Sequence, residues 1–433
     1  MVCSGRPQWR PPTENVIKTR KMKFDTIIIG GGLSGLTCGI ALAKAGQNVA
    51  VVSAGQSNLH FNSGSLDLVG YKDGQEVKDP LEALGQMPET HPYHKISNPD
   101  ILANRARKLL EEAGIKMEGD NHKNHYRLSP VGKLIPAWLT MDGLFTVNGA
   151  EELKGKHICI GNITGFLDFP VPYLADALRG YGAEVELCTV TTPLLEHARQ
   201  SPSEMRATNI ANYLADDENV QEVAGALKKV LPANIDLLLL PAVLGIANDH
   251  AAKLLQKLMS VETKFIATMP PSVPGTRIQT LFRQYLQKLG GTFIPNDTVV
   301  KGDIENNKVV RVYTENLVET PLEANNFVLA GGSFLDGGMA SNYDGIFEPI
   351  FHLDVDGSNK RTDWTADKLF DQQPYQSYGV KTDSLFIVSK DNAVINNVYA
   401  IGAILSGNDP RMATSTGIDL LTALSVASSI TNK

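Results

Sequence analysis

Short apolar runs alternate with helical patterns along most of the chain, and the first pair is the clearest. Thr26 to Ile29 is a β-branched apolar run that reads as a buried parallel strand. A helical pattern follows, with Leu33, Leu36, Ile40 and Ala43 on one face and Gly46 at the C-cap position. Val49 to Val52 is a second buried strand, so the stretch forms a β-α-β unit. Asp100 to Ala113 is helical by pattern, and short strand-like pieces occupy Tyr126 to Leu139. A second α/β pattern starts at Lys156: His157 to Ile160 as a strand, Val171 to Tyr181 as a helix, then Glu184 to Val190 and Ile235 to Leu240 as strands. After Pro270, Pro271 and Pro274 comes another helix, with Ile278, Leu281, Phe282, Tyr285, Leu286 and Leu289 at helical spacing. Thr292 to Ile294, Thr298 to Val300, Val309 to Thr314 and Asn326 to Leu329 read as strands, with a hairpin turn at Asn306-Asn307-Lys308. Asn397 to Ala400 is a last strand before a C-terminal helix.

Between the first strand and its helix lie Gly30, Gly31, Gly32, Leu33, Ser34 and Gly35, which fit G-x-G-x-x-G. Gly30 allows the tight turn, Gly32 lets a phosphate approach the main chain, and Gly35 lets the helix pack on the strand. The helix N-terminus then offers unpaired N–H groups and a partial positive charge. In this strand–helix context the motif predicts a phosphate-bearing cofactor. One element of a dinucleotide site is missing: the second strand ends in Ser53, Ala54 and Gly55 where an acid usually holds the ribose hydroxyls. A serine can still bond a ribose, but a mononucleotide such as FMN becomes an option.

Three further stretches are candidate cofactor contacts. AGQSNLHFNSGSLDLVG leaves the second strand beside the cofactor, with Ser57, Ser63, Gly64 and Ser65 among its small donor-rich residues. Gly331 and Gly332 follow a buried strand, where a glycine pair admits a ligand to the backbone. Gly402 follows the last strand, and Gly417 lies at the small-residue start of the final helix, which could aim N–H groups at negative charge on a ring oxygen.

Composition narrows the function. A 433-residue chain with 42% hydrophobic and 20% charged residues is an ordinary globular protein of two or three domains. A net charge of -7 and no basic stripe argue against nucleic acid. The apolar run at Leu237 to Ala247 is interrupted by Pro241 and falls short of the ~20 residues of a membrane span. Cys3, Cys38, Cys159 and Cys188 form no C-x-x-C, so no zinc or iron–sulfur site is expected, and their scarcity points to the cytosol. His122 and His125 lack a third ligand and read as solvated or hydrogen-bonded. The expected organisation is α/β: an N-terminal extension over residues 1–21, a discontinuous Rossmann-like flavin-binding domain over residues 22–120 and 271–433, and an inserted α/β domain over residues 121–270.

Several stretches together resemble one family, the B subunit of the anaerobic glycerol-3-phosphate dehydrogenase. They are MKFDTIIIGGGLSGLTCGIALAKAG, SAGQSNLHFNSGSLDLVG, HYRLSPVGKLIPAWLT, PPSVPGTRIQTLF and NVYAIGAILSGNDP. The resemblance covers nearly everything from Met22 onward. It implies oxidation of sn-glycerol 3-phosphate to dihydroxyacetone phosphate, with electrons leaving toward quinone. It also implies FMN here (FAD being the alternative), an FAD-bearing A subunit and a membrane-associated iron–sulfur C subunit, hence a cytoplasmic protein peripheral to the inner membrane. For that chemistry His60 is the candidate base, and Arg277 and Arg411 are candidate phosphate ligands. Two other readings stand beside it: a flavin relay with no substrate chemistry of its own, and a scaffold without cofactor.

Overall fold

The computed structural model describes residues 22–318 and 320–432; the expected N-terminal extension lies outside the described residues. Its larger sheet has eight strands. Met22–Ile29 lies at the centre, paired in parallel with Val49–Ser53 on one side and Leu322–Leu329 on the other. Thr292–Pro295 extends the sheet in parallel beyond Val49–Ser53. The far edge of Leu322–Leu329 is shared. Its first half pairs with the antiparallel hairpin Val299–Glu305 and Lys308–Thr314, and its second half with Ala393–Ala400 in parallel. The hairpin turns at Asn306 and Asn307, both at positive φ (50° and 58°), which matches the twist of the strands it joins.

The fingerprint helix Leu33–Lys44 is buried along most of its length between the final helix Ser415–Thr431 and the helix Val273–Lys288. That explains why it is apolar nearly all round rather than on one stripe. It ends where expected, with Gly46 at φ +84° just past the last turn.

A second, parallel sheet runs in the order Glu184–Val190, His157–Ile163, Leu237–Pro241, Glu262–Ile266. Its last strand, and the helices Asp217–Val230 and His250–Leu258 that belong with it, are additions to the sequence reading. Asp217–Val230 carried a legible signal: Val220, Val223, Ala224 and Leu227 are buried at helical spacing, and Asp216 caps the helix by accepting from the Glu218 and Asn219 N–H groups.

Two small antiparallel sheets lie between the large ones. His125–Leu128 pairs with Leu134–Ala137 and Thr146–Val147. Leu139–Met141 pairs with Ser65–Leu66 and Met117–Gly119, which ties this segment to the loop after the second strand. Phe145 N–H donates to the Phe265 carbonyl at 2.8 Å, which ties it to the second parallel sheet as well. No helix among the described residues is long and apolar enough to cross a membrane.

Candidate active site

The glycines of the fingerprint divide into two kinds by what surrounds them. Gly30 sits at φ +124° and donates its N–H to the Val52 carbonyl at 2.9 Å, and any Cβ there would collide with the Ala330 carbonyl. A Cβ on Gly35 would collide with the Gly30 carbonyl, and one on Gly31 with the Ser53 side chain. These three are required by the chain's own packing. Gly32 differs: the nearest foreign atom to a Cβ there is Ser57 Cβ at 3.8 Å. Gly32 is the N-cap of the Leu33–Lys44 helix, with no side chain capping it. The space above it is therefore bounded by unpaired helix N–H groups, which fits a phosphate. Gly32→Ala is accordingly expected to fold within about 0.5 kcal/mol of the parent yet bind flavin at least ~10-fold more weakly. Urea melts together with flavin retained through gel filtration would read both effects.

Ser53 is buried, and its hydroxyl donates to the Gly55 carbonyl at 3.0 Å. Its own carbonyl accepts from Asp297 N–H at 3.0 Å. The hydroxyl thus serves the turn, while Ala54 and Gly55 are exposed. The loop beyond is held by its own side chains. Ser57 accepts from Leu59 N–H and caps the short 3₁₀ turn Asn58–Phe61. Asn62 accepts from Gly64 N–H at 2.8 Å and donates to the Ser65 carbonyl at 3.2 Å. The loop packs on the helix Val273–Lys288 through Gly275, where a Cβ would strike the Leu59 carbonyl. His60 lies on the 3₁₀ turn, half-buried, and its carbonyl accepts from Ser272 N–H at 2.7 Å.

The C-terminal glycines come to the same place. Gly402, at φ +75°, is wedged so that a Cβ would lie 2.6 Å from Ser34 Oγ and 2.5 Å from Asp419 Oδ1. Its N–H donates to Thr422 Oγ1 at 3.0 Å. Asp419 is the residue that the sequence reading missed here. Burial pushes its carboxyl up to about 7, the Asp336 and Asp67 carboxylates add to the rise, and hydrogen bonds from Ser34 and the Ala403 backbone oppose it. Its signal was the single charged side chain in a helix otherwise made of apolar, glycine, serine and threonine residues. Gly417 packs against the Tyr93 hydroxyl and the Asp67 carbonyl. Asp67 Oδ1 accepts from Thr416 N–H at 2.9 Å and from Thr416 Oγ1 at 2.5 Å, so it caps the final helix. Gly331 and Gly332 form a turn closed by Asp336, which accepts from Ser333 N–H at 2.9 Å.

Between that loop, the final helix and the small antiparallel sheets lies a cavity of about 310 Å³. Asn62, Ser63, Ser65, Asp67, Arg127 and Thr416 contribute to its walls. Of the residues expected from sequence, Ser63 and Ser65 line it. Ser65 is also the end of a hydrogen-bonded chain: Thr140 Oγ1 donates to Ser65 Oγ at 2.9 Å, and His125 Nε2 lies 2.7 Å from Thr140 Oγ1. Burial pushes the His125 imidazole down to about 4. His122 pairs with Asp79 at 3.0 Å.

His60, Arg277 and Arg411 are not among the residues lining this cavity. Arg277 is buried and donates from Nη2 to the Leu244 and Gly245 carbonyls at 2.8 and 2.6 Å. It braces the Val273–Lys288 helix against the loop that leaves the second parallel sheet. Arg411 is held by Asp409, with Nη2 2.6 Å and Nε 3.0 Å from its carboxylate oxygens. It lines a separate cavity of about 390 Å³ with Tyr71 and Lys133.

Residues 25–417 match the family described as the FAD binding domain. The chain is similar to the B subunit of anaerobic glycerol-3-phosphate dehydrogenase from Yersinia pestis bv. Antiqua (strain Antiqua), with 38% identity over 417 residues, 94% of this chain and 98% of that one. The protein of the same name from Pectobacterium atrosepticum is 36% identical over 416 residues, covering 94% and 99% of the two chains. That from Actinobacillus pleuropneumoniae is 34% identical over 426 residues, again covering 94% and 99%.

Proposed function

We infer the chemistry of this chain from its membership: it belongs to the family of the anaerobic glycerol-3-phosphate dehydrogenase B subunit, is built on an FAD-binding domain, and is a flavin-dependent oxidoreductase. We propose that it oxidises the secondary alcohol of sn-glycerol 3-phosphate to the ketone of dihydroxyacetone phosphate. In a complex with an FAD-bearing A subunit and a membrane-associated iron–sulfur C subunit, the electrons would pass toward quinone from the cytoplasmic face. The observation that carries this reading is the cavity between the loop after the second strand and the start of the final helix. A flavin held on the fingerprint turn would supply the two-electron acceptor for the alcohol C2–H of a substrate in that cavity. The chain's own part is to hold the flavin phosphate on the N–H groups of Leu33, Ser34 and Gly35, and to set Ser63 and Ser65 against the substrate. On this reading residues 121–270 form an inserted α/β domain between the two parts of a flavin-binding domain, and the substrate sits where they meet.

FMN is the proposed flavin. The second strand offers no acid for an adenosine ribose, and the Ser53 hydroxyl is already committed to Gly55. Release of the cofactor from purified protein and chromatography tests this: FMN supports the reading, and FAD would sink it. A second reading, a flavin relay without substrate chemistry, is favoured by one observation: no histidine lines the cavity. Anaerobic addition of glycerol 3-phosphate to the isolated chain separates the two. Bleaching of the flavin supports the dehydrogenase, and an unchanged spectrum supports the relay.

A further inference from the structure

The structure treats Arg127, Arg277 and Arg411 differently. Arg277 donates from Nη2 alone to two backbone carbonyls, and Arg411 gives Nε and Nη2 to Asp409. Arg127 has neither a hydrogen bond nor an ion pair among the described residues, although it lines the cavity of about 310 Å³. Burial pushes its guanidinium below the usual pKa, with the Asp67 carboxylate and Tyr71 opposing the shift. Arg127 is half-buried, and a cation partly withdrawn from water with no partner in its place is costly to a fold. Such a group is retained where a ligand completes it.

Its presentation is rigid. Arg127 sits on the middle strand of a three-stranded sheet, opposite Ile135 on one side and Thr146 on the other. Strand alternation turns Tyr126 to the other face, where its hydroxyl donates to Glu76 at 2.7 Å. Around the guanidinium the walls carry the Ser63, Ser65, Ser129 and Thr268 hydroxyls and the Asn62 amide. Asp67 also lies in the wall, but its Oδ1 is turned to the final helix by Thr416 and it forms no ion pair with Arg127. The volume is at the lower end of small-molecule sites, roughly 300 Å³, and suits a compact polyol phosphate better than a whole flavin.

We propose that Arg127 binds the phosphate of a small phosphorylated polyol, its guanidinium fork taking two phosphate oxygens in the cavity walled by Ser65, Ser129 and Asp67. The proposal rests on the dehydrogenase reading for the identity of the polyol, but not for the existence of the anion site. A planar fork with two parallel N–H donors matches phosphate, which a lysine point charge matches less well.

The test uses the full flavin-loaded chain and follows the flavin absorption spectrum during titration with glycerol 3-phosphate, inorganic phosphate and glycerol. For Arg127→Gln the dissociation constant for glycerol 3-phosphate should rise about 100-fold, and inorganic phosphate should no longer perturb the spectrum. For Arg127→Lys the loss should be about 10-fold. Flavin content should match the parent, and the urea midpoint should be equal or higher, since no native contact is removed. Parent-like affinity in Arg127→Gln would overturn the proposal, as would a parent protein blind to both phosphate and glycerol 3-phosphate. Phosphate binding lost in Arg127→Gln, in a parent whose flavin glycerol 3-phosphate does not bleach, would keep the anion site and sink the dehydrogenase reading alone.

Discussion

Gly35→Ala is expected to empty the protein of flavin and to destabilise the fold by about 3 kcal/mol or more. Two effects compete at this position. Alanine in a helix gains about 1 kcal/mol over glycine from propensity alone. Against that, the new Cβ would meet the Gly30 carbonyl oxygen, and the Ala330 side chain lies 3.3 Å away on the other side. Neither neighbour can yield cheaply. Gly30 is pinned by its bond to Val52 and by the Ala330 backbone, and the helix is enclosed by the final helix and by Val273–Lys288. The helix must therefore lift from the strand, which moves its N-terminus away from the proposed phosphate position. Urea unfolding and the flavin absorbance per protein measure the two losses. A stable, yellow Gly35→Ala protein would show that the helix start does not hold the cofactor. Set beside the mild stability effect expected at Gly32, the pair separates glycine required for packing from glycine required for the ligand.

The second large effect is loss of stability in acid. His91 is 1% exposed; its Nδ1 accepts from Tyr93 N–H at 3.2 Å and its Nε2 is buried with no partner among the described residues. Burial pushes it down to about 4, with Asp409 opposing, and burial does the same to His125. A histidine with a lowered folded pKa is stabilising above its unfolded value, and that stability is lost as pH falls from about 6.5 toward 4. At about 1.4 kcal/mol per unit, each histidine contributes about 3 kcal/mol. Asp419 works the other way. Its carboxyl is raised to about 7, so its contribution is present in acid and is lost as pH rises through 7. Two histidines outweigh one carboxyl, leaving a net loss of roughly 2–3 kcal/mol from these three groups between pH 7 and pH 4. Urea melts across that range would show it, and equal stability at both ends would refute it. In His91→Asn the amide oxygen can still accept from Tyr93 N–H, so the cap survives while about half of the histidine dependence disappears.

The glycine-rich turn after the first strand was legible because its sequence signal is contiguous. Strand, glycines and helix lie within Met22–Lys44, although Gly30 answers to the Ala330 carbonyl and Gly31 to the Ser53 side chain. The loop from Ser57 to Ser65 was legible for a related reason: its polar side chains bond the loop's own backbone, so composition reports the conformation. Segment boundaries were less legible. Met22–Ile29 and Leu322–Leu329 each begin about four residues earlier than their apolar runs suggest, because the ladder continues through Met22–Leu322, Lys23–Glu323 and Phe24–Ala324, where polar residues interrupt the run. The short strand Ser65–Leu66 carried no periodic signal at all, and only its partner Leu139–Met141 makes it a strand.

The amino-acid sequence by itself determined the α/β class, the glycine-rich strand–helix turn and the family, since these rest on short-range backbone geometry and on motifs read in order. It could not rank the arginines. An arginine's role depends on what its long side chain finds, and the partners of Arg277 and Asp67 come from residues 33 and 349 positions away. The tertiary structure decided that Arg277 and Arg411 are occupied while Arg127 has no hydrogen bond or ion pair among the described residues, and that Asp419 lies against Ser34 and Gly402 with its carboxyl pushed up by burial. Burial and long-range pairing set those chemical properties, and neither is a property of a residue's neighbours in the chain.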